Sequence, residues 1–313
     1  MTHARLYVGP SGWHYQDWYG IVYPQTRSAR FDALAFMARC FNALEVNSSF
    51  YRPPTARMTA GWVRRVPPAP QFSFAVKCWQ RFTHQRTEPY STADVETFLE
   101  GVRPLGDSGH AGCLLLQFPW SFRNTPDAWE LLTRLADDFR DHRPVVEVRH
   151  ASWDDAQARQ NLRALGLSYC NIDQPRLKQC IGPSSHVTGP VGYVRFHGRR
   201  ADTWFASPAG RLNANVASHA RYDYLYGEEE LSEWIDRIRG VAGQTESTYA
   251  FTNNHYRGQG PANALQLRAM LERGKVSVPP DMLRHFPFLA DIALPDPLRG
   301  GCLTRRPAEP ELF

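Results

Sequence analysis

PVVEVRHASW, residues 144–153, is the stretch that decides the fold. Its apolar, β-branched start has the character of a strand buried on both faces, and Glu147, Arg149 and His150 then mark where that strand opens onto solvent. A parallel strand of this kind needs helices on either side. Upstream, Thr125 and Pro126 form an N-cap and N1 pair opening a helix over 126–139, and downstream a helix over 153–165 stops at Gly166.

The same alternation extends through the chain. Strands are predicted over 5–9, 43–49, 72–77, 112–118, 167–173, 191–198 and 248–254, and helices over 31–41, 55–66, 92–103, 228–241 and 260–273. Eight strands alternating with helices predict an α/β protein, a (β/α)8 TIM-type barrel forming a single domain over 1–275. A Pro-rich C-terminal extension is expected over 276–313. Between Pro175 and Pro190 there is no convincing amphipathic helix, so the crossover after strand six is expected to be irregular, and a long polar loop over 199–227 follows strand seven.

Composition bounds the function. The 313 residues are 42% hydrophobic and 21% charged, and no apolar run approaches the roughly 18 residues of a membrane helix. The N-terminal apolar run is too short for a signal peptide, so a cytoplasmic protein is expected, with no membrane partner. Six cysteines without CxxC spacing read as reduced, buried thiols. A dispersed net charge of +5 permits contact with phosphates without demanding it. Lys77, Lys178 and Lys275 are the only lysines among 36 basic residues, so a lysine at a strand end needs a reason. No dinucleotide fingerprint is present, and the sequence leaves both metal use and oligomeric state open.

Side chains alternate across a strand, and the polar residues collect on one parity near the C-terminal ends. They are Glu45 and Asn47 in strand two, Lys77 in three, Gln117 in four, Glu147 and Arg149 in five, Asn171 and Asp173 in six, Arg195 and His197 in seven, and Tyr249 and Asn253 in eight. Barrel enzymes build their sites at that end. Glu45, Lys77, Gln117, Glu147, Arg149, His197 and Asn253 are therefore expected to converge. Any one such charge could simply neutralise a neighbour, but a barrel built for stability alone would fill these layers with Val, Ile and Leu. Trp13, Trp18, Trp79, Trp120, Trp153 and Trp204 also follow strand ends, as do Tyr15, Phe50 and Tyr51, giving a rim suited to stacking on sugars or bases, or to pinning loops.

Specific chemistries can be weighed against this pattern. A common retaining glycosidase wants carboxylates about 5 Å apart after strands four and seven, where Gln117 and His197 stand instead. Lys77 is the one candidate for a Schiff-base lysine, and reads equally as a phosphate or carboxylate binder. A divalent metal could draw on Glu45, Glu147, Asp173, His150 and His197, although no HxH or HExxH spacing supports it.

The segments SGWHYQDWYGIVYP, FNALEVNSSFYRPP, FSFAVKCWQRFTHQR, LLLQFPWSF, VVEVRHASW, YVRFHGR, RYDYLYGEEEL and TNNHYRGQGPANA together resemble the YecE-like family, also called domain of unknown function seventy-two. The resemblance spans most of residues 6–272 and implies a TIM-barrel-like fold without an agreed activity. A relation to nucleic-acid-processing barrels of the endonuclease IV type is an analogy of fold. The family's polar motif positions fall on Ser11, Gly12, Trp13, Glu45, Asn47, Tyr51, Lys77, Thr83, His84, Gln117, Glu147, Arg149, His150, Arg195, His197, Gly198, Asn253 and Asn254. Pro10 departs from the pattern, and the chain beyond Gly274 lies outside the resemblance.

The leading reading is an enzyme doing acid/base, hydrolytic chemistry on a phosphate-bearing or nucleic-acid-related substrate at the mouth. Glu45, Glu147, His197 and Lys77 are the candidate catalytic residues. Ser11, Trp13, Asn47, Tyr51, His84, Gln117, Arg149, His150, Asp173, Arg195, Asn253 and Asn254 are the candidate substrate contacts. The alternative is a non-catalytic module binding nucleic acid or a metabolite at the same mouth.

Overall fold

Eight parallel strands form one sheet in a computed structural model that describes residues 5–26, 28–202, 204 and 220–295. The strands are β1 Arg5–Pro10, β2 Ala43–Val46, β3 Ser73–Lys77, β4 Ala111–Gln117, β5 Pro144–Glu147, β6 Ser168–Asp173, β7 Val191–Phe196 and β8 Ser247–Thr252. Each pairs with its sequence neighbour from β2 to β8, and β8 pairs with β1. Around them lie α1 Ala33–Met37, α2 Ala56–Val63, α3 Gln80–Thr83, α4 Thr92–Asp107, α5 Pro126–Asp138, α6 Ala156–Ala164, α7 Glu228–Ala242, α8 Gln259–Glu272 and α9 Pro280–His285. This is the (β/α)8 architecture expected from the alternation. Most ends agree with the sequence reading to within a few residues, but β5 stops at Glu147, so Arg149 and His150 stand past the ladder in the loop that leaves it.

The seam between β1 and β2 is closed by other means than a ladder. Ser11 bridges Glu45, the Gly12 amide donates to the Glu45 carbonyl at 2.8 Å, and the Asn42 side chain both accepts from the Val8 amide (2.8 Å) and donates to the Leu6 carbonyl (3.0 Å). The backbones approach so closely here that a Cβ on Gly9 would lie 1.9 Å from the Ala43 carbonyl oxygen.

Inside the barrel, the layer nearer the N-terminal end is filled by rings. Tyr7 stacks on Tyr249 with centroids 4.9 Å apart, and Tyr193 lies 6.1 Å from the same ring. Outside, the α7 stripe of Leu231, Trp234, Ile235 and Ile238 is buried, with Trp234 meeting Phe196 edge-on. The irregular crossover after β6 is present: no helix forms between β6 and β7, and side chains do the work of one. Asn171 accepts from the His186 amide (2.8 Å) and donates to the His186 carbonyl (3.0 Å), while Gln174 donates to the Ile181 carbonyl (3.1 Å).

The extension set apart from residue 276 does not leave the barrel at once. Val276, Val278, Met282 and Leu289 are buried in the common core, and the Val276 amide donates to the Ile292 carbonyl at 2.8 Å. Its remainder from 296, with Cys302, lies outside the described residues, as does the 205–219 part of the long polar loop.

The seam predicts that Gly9→Ala forces the backbones apart and destabilises the protein by about 1–3 kcal/mol, the usual range for overpacking. Gly182→Ala, where a Cβ meets nothing within 4 Å, should stay within about 0.5 kcal/mol of wild type. Denaturant unfolding of the two variants checks this, and equal stabilities would contradict the close approach.

Candidate functional site

Arg195 sits in the middle of the barrel, 1% exposed, between two buried carboxylates. Its Nη2 donates to Glu45 Oε1 at 2.7 Å and its Nη1 to Glu147 Oε2 at 2.5 Å. Strand alternation makes this possible, because Glu45, Glu147 and Arg195 all take the inward parity near the C-terminal ends of their strands. Burial opposes the charge on Arg195, and the two carboxylates outweigh it, holding its pKa well above the ordinary value.

The carboxylates are then saturated by further donors. Glu45 accepts from Ser11 Oγ and the Tyr193 hydroxyl, both at 2.7 Å. Glu147 Oε1 accepts from Arg149 Nε (2.8 Å) and Nη2 (2.6 Å) and faces His197 Nε2 at 3.1 Å. Burial pushes the Glu147 acid up, but Arg195 and Arg149 hold it well below the usual carboxylate range. Glu147 is thus a fixed negative charge with its lone pairs taken. The acid or base role expected for it does not fit that environment.

His197 is held neutral. The Asn253 side-chain amide nitrogen lies 3.1 Å from Nδ1, which makes Nδ1 the acceptor and leaves the Nε2 proton for Glu147. Burial lowers the His197 pKa to about 3, against the pull of Glu147. The ring bridges Asn253 to Glu147 and stays neutral near neutral pH, its one N–H committed to the carboxylate.

Lys77 is the exception in this cluster. The end of β3 is tied to the loop after β2 by Ser49, whose hydroxyl donates to the Lys77 carbonyl at 2.6 Å, and that tie sets Phe50 against the lysine. Nζ lies 3.9 Å from the Phe50 ring centroid and has no carboxylate partner among the described residues. Burial, then the positive charge of Arg195, lower the amine to about 7, with Glu147 and Glu45 pulling the other way. His84 shares the Phe50 ring, edge-on at 4.8 Å, with Nδ1 2.8 Å from Thr83 Oγ1. Burial and the nearby Lys77 charge lower His84 to about 4.

The remaining candidates divide. Gln117 is level with Glu147 in the sheet, although its amide donates to the Phe118 carbonyl at 2.6 Å. Asn47 lies near the Tyr15 hydroxyl, which donates to the Ser11 carbonyl at 2.9 Å, and Tyr51 stands on the rim, 71% exposed. Four others point elsewhere. Trp13 packs on Trp62 and Phe74 in the layer between strands and helices, because the loop after β1 turns outward over α2. Asp173 also faces the helices, where it accepts from Trp234 Nε1 and pairs with Arg199 at 2.7 Å. Asn254 ties Tyr224 and Asn263, and His150 turns back on Ser152 at 2.9 Å. Trp18 and Trp153 are buried core rings rather than parts of the mouth.

In β6 the inward parity is the opposite of that expected from the polar residues. Cys170 is the inward residue, with Sγ 3.9 Å from Glu147 Oε2, and Asn171 and Asp173 look outward. Tyr193 was missed although it lies two residues before Arg195, a spacing that places both on one face.

No three His, Cys, Asp or Glu side chains are grouped to share a metal ion among the described residues. The donor chemistry agrees, since the Glu45 and Glu147 oxygens already face guanidinium and hydroxyl groups. Two surface hollows, of about 410 Å³ beside Arg176, Cys180 and Arg237 and about 770 Å³ beside Trp129 and Arg134, include none of the cluster residues. No helix is long and apolar enough to cross a membrane among the described residues.

Fold and site together define a (β/α)8 barrel with an arginine-centred charge cluster under its C-terminal mouth. The chain belongs to the family described as Protein of unknown function DUF72, whose model matches residues 7–284, ten residues beyond the limit set by the sequence motifs. It is 26% identical over 277 residues to UPF0759 protein YunF of Bacillus subtilis (strain 168), covering 85% of this chain and 95% of that one. The solved structure of a DUF72 family protein from Thermotoga maritima MSB8 matches with a TM-score of 0.73 and 32% identity, covering 86% of this chain and 99% of that one. One from Enterococcus faecalis V583 matches at 0.72 with 23% identity, covering 85% and 95%, and supports the fold alone.

The cluster predicts that Glu147→Gln, which leaves two guanidiniums short of a counter-charge, destabilises the protein by roughly 3–5 kcal/mol at neutral pH. The sign with pH follows from the depressed acid: Glu147 contributes stability above the unfolded carboxylate pKa, and that contribution is lost as pH falls through the lower folded value. The gap between wild type and variant in denaturant unfolding should therefore narrow toward strong acid. A gap that widened there would contradict this.

Proposed function

We propose that the protein is an enzyme acting on a phosphate-bearing substrate at the C-terminal mouth, with Lys77 as its proton-transfer group and Arg149 beside it as anion holder. The carrying observation is the amine of Lys77, drawn down to about 7 and left without a carboxylate partner among the described residues. Two guanidiniums, Arg149 and Arg195, balance two carboxylates, Glu45 and Glu147, and His197 is neutral. A protonated Lys77 therefore leaves one positive charge in excess, which favours an anion. A group titrating near 7 suits general acid/base work at neutral pH.

Arg149 is placed for contact. Its side chain is 18% exposed, with Trp204 5.6 Å away on the mouth side. Around it the rim carries exposed Arg52, Arg86 and Arg123 after β2, β3 and β4. This rim, with the exposed Tyr51 ring, favours a second reading in which the same mouth holds nucleic acid without turning it over.

Sulfate is a suitable probe because its charge is constant across the range in which Lys77 titrates. Calorimetry should show sulfate affinity falling above pH 7, by up to about tenfold per pH unit, since the anion selects the protonated amine. Lys77→Met should remove that dependence. Turnover of phosphate-bearing compounds should drop roughly 100- to 10,000-fold in the same variant. Absence of any sulfate binding would overturn the reading, and polynucleotide binding that weakens steeply with salt but survives Lys77→Met would favour the second.

A further inference from the structure

Lysine is scarce in this chain, and its placement is selective. Of 36 Lys and Arg residues three are Lys, and Lys77 is the one on a barrel strand. Everywhere else in the cluster a positive charge is supplied by a guanidinium, which holds an anion bidentately and keeps its proton. A site that asked for nothing beyond anion binding would be served by arginine at 77 as well. A primary amine differs in one respect that matters here: its neutral form is a nucleophile.

The surroundings favour that form. Ser11, Tyr193, Arg195, Arg149 and His197 occupy the oxygens of Glu45 and Glu147, so neither carboxylate is available to pair with the ammonium. The amine is set against the Phe50 face, half-buried at the C-terminal end of its strand. Arg149 provides the anchor for an anionic group beside it.

We infer that Lys77 forms a Schiff base with the carbonyl carbon of a small phosphate-bearing aldehyde or ketone, the phosphate being held by Arg149. The inference rests on the preceding reading of the mouth and names its substrate class. In the step, the neutral amine adds to the carbonyl carbon and the C–O π bond breaks to give a carbinolamine. One amine proton passes to the oxygen in forming that neutral carbinolamine; its hydroxyl then takes one proton from solvent and leaves as water, and the nitrogen lone pair closes the C=N bond of a protonated imine that keeps the other amine proton. No oxidant or reductant is consumed. The lowering of the amine to about 7 supports the assignment, since at pH 7 about half of such a lysine is neutral. His84 lies against the same Phe50 ring and is neutral at this pH, so it adds no charge against the imine.

The scarcity of lysine makes the test clean. Full-length protein is incubated with glycolaldehyde phosphate and sodium cyanoborohydride at pH 7, and the adduct is located by peptide mass mapping. Lys77 should be labelled at least about tenfold faster than Lys178 or Lys275, and several-fold faster than the terminal amine. Inorganic phosphate should protect it, unphosphorylated glycolaldehyde should label it more slowly, and Lys77→Arg should abolish the adduct. Protection by phosphate in the wild-type protein keeps the result readable if Lys77→Arg does not fold. Labelling no faster at Lys77 than at the other amines overturns the Schiff base. If sulfate still binds in that case, the acid/base reading of the mouth survives; if it does not, both fall together.

Discussion

Arg195 is a cation with almost no contact with water, and the site depends on how its charge is balanced. An unpaired guanidinium in the middle of a barrel would cost several kcal/mol, so strands across the barrel must bring carboxylates to it. Glu45 and Glu147 do so at 2.7 and 2.5 Å. Those two acids must then be satisfied on their remaining lone pairs, which recruits Ser11 and Tyr193 on one side and Arg149 and His197 on the other. One buried charge thereby fixes the rotamers of residues from four strands and their ends.

The same balance explains why one amine is left over. With the carboxylates committed to guanidiniums, Lys77 has burial and two like charges against it and only distant acids for it. The amine is the group in the mouth whose proton is loosely held, whereas Glu147, His197 and His84 are each pinned in one protonation state near neutrality. The cluster acts as a scaffold that tunes one titratable side chain, and the residues first expected to carry the chemistry become its supports.

Much of this could be read in the sequence, and the exceptions have physical causes. The barrel was legible because eight apolar strands alternate with capped amphipathic helices, and because polar residues of one parity crowd the strand ends. Glu45, Lys77, Glu147, Arg149, Arg195, His197 and Asn253 do meet. Parity failed at β6, where the missing crossover helix leaves backbone amides and carbonyls that Asn171 must satisfy from the outer face. Asp173 is outward for a related reason, since the buried Trp234 indole and Arg199 need an acceptor there. Trp13, Trp18 and Trp153 misled because a loop tryptophan beside a barrel packs against helices as readily as it lines a mouth. The β1–β2 seam left one signal, Asn42 just before β2, that no pattern of hydrophobicity reveals.

The most direct test is the titration of Lys77 itself. With lysine nitrogen and ε-carbon isotopically labelled, three side-chain resonances are followed by NMR as a function of pH, and Lys77→Arg assigns the one in the barrel. The account predicts a midpoint for Lys77 near 7, against the ordinary lysine value of about 10.4. A midpoint for Lys77 at that ordinary value would contradict it, because an amine that stays protonated near neutrality can neither transfer protons efficiently nor act as a nucleophile there.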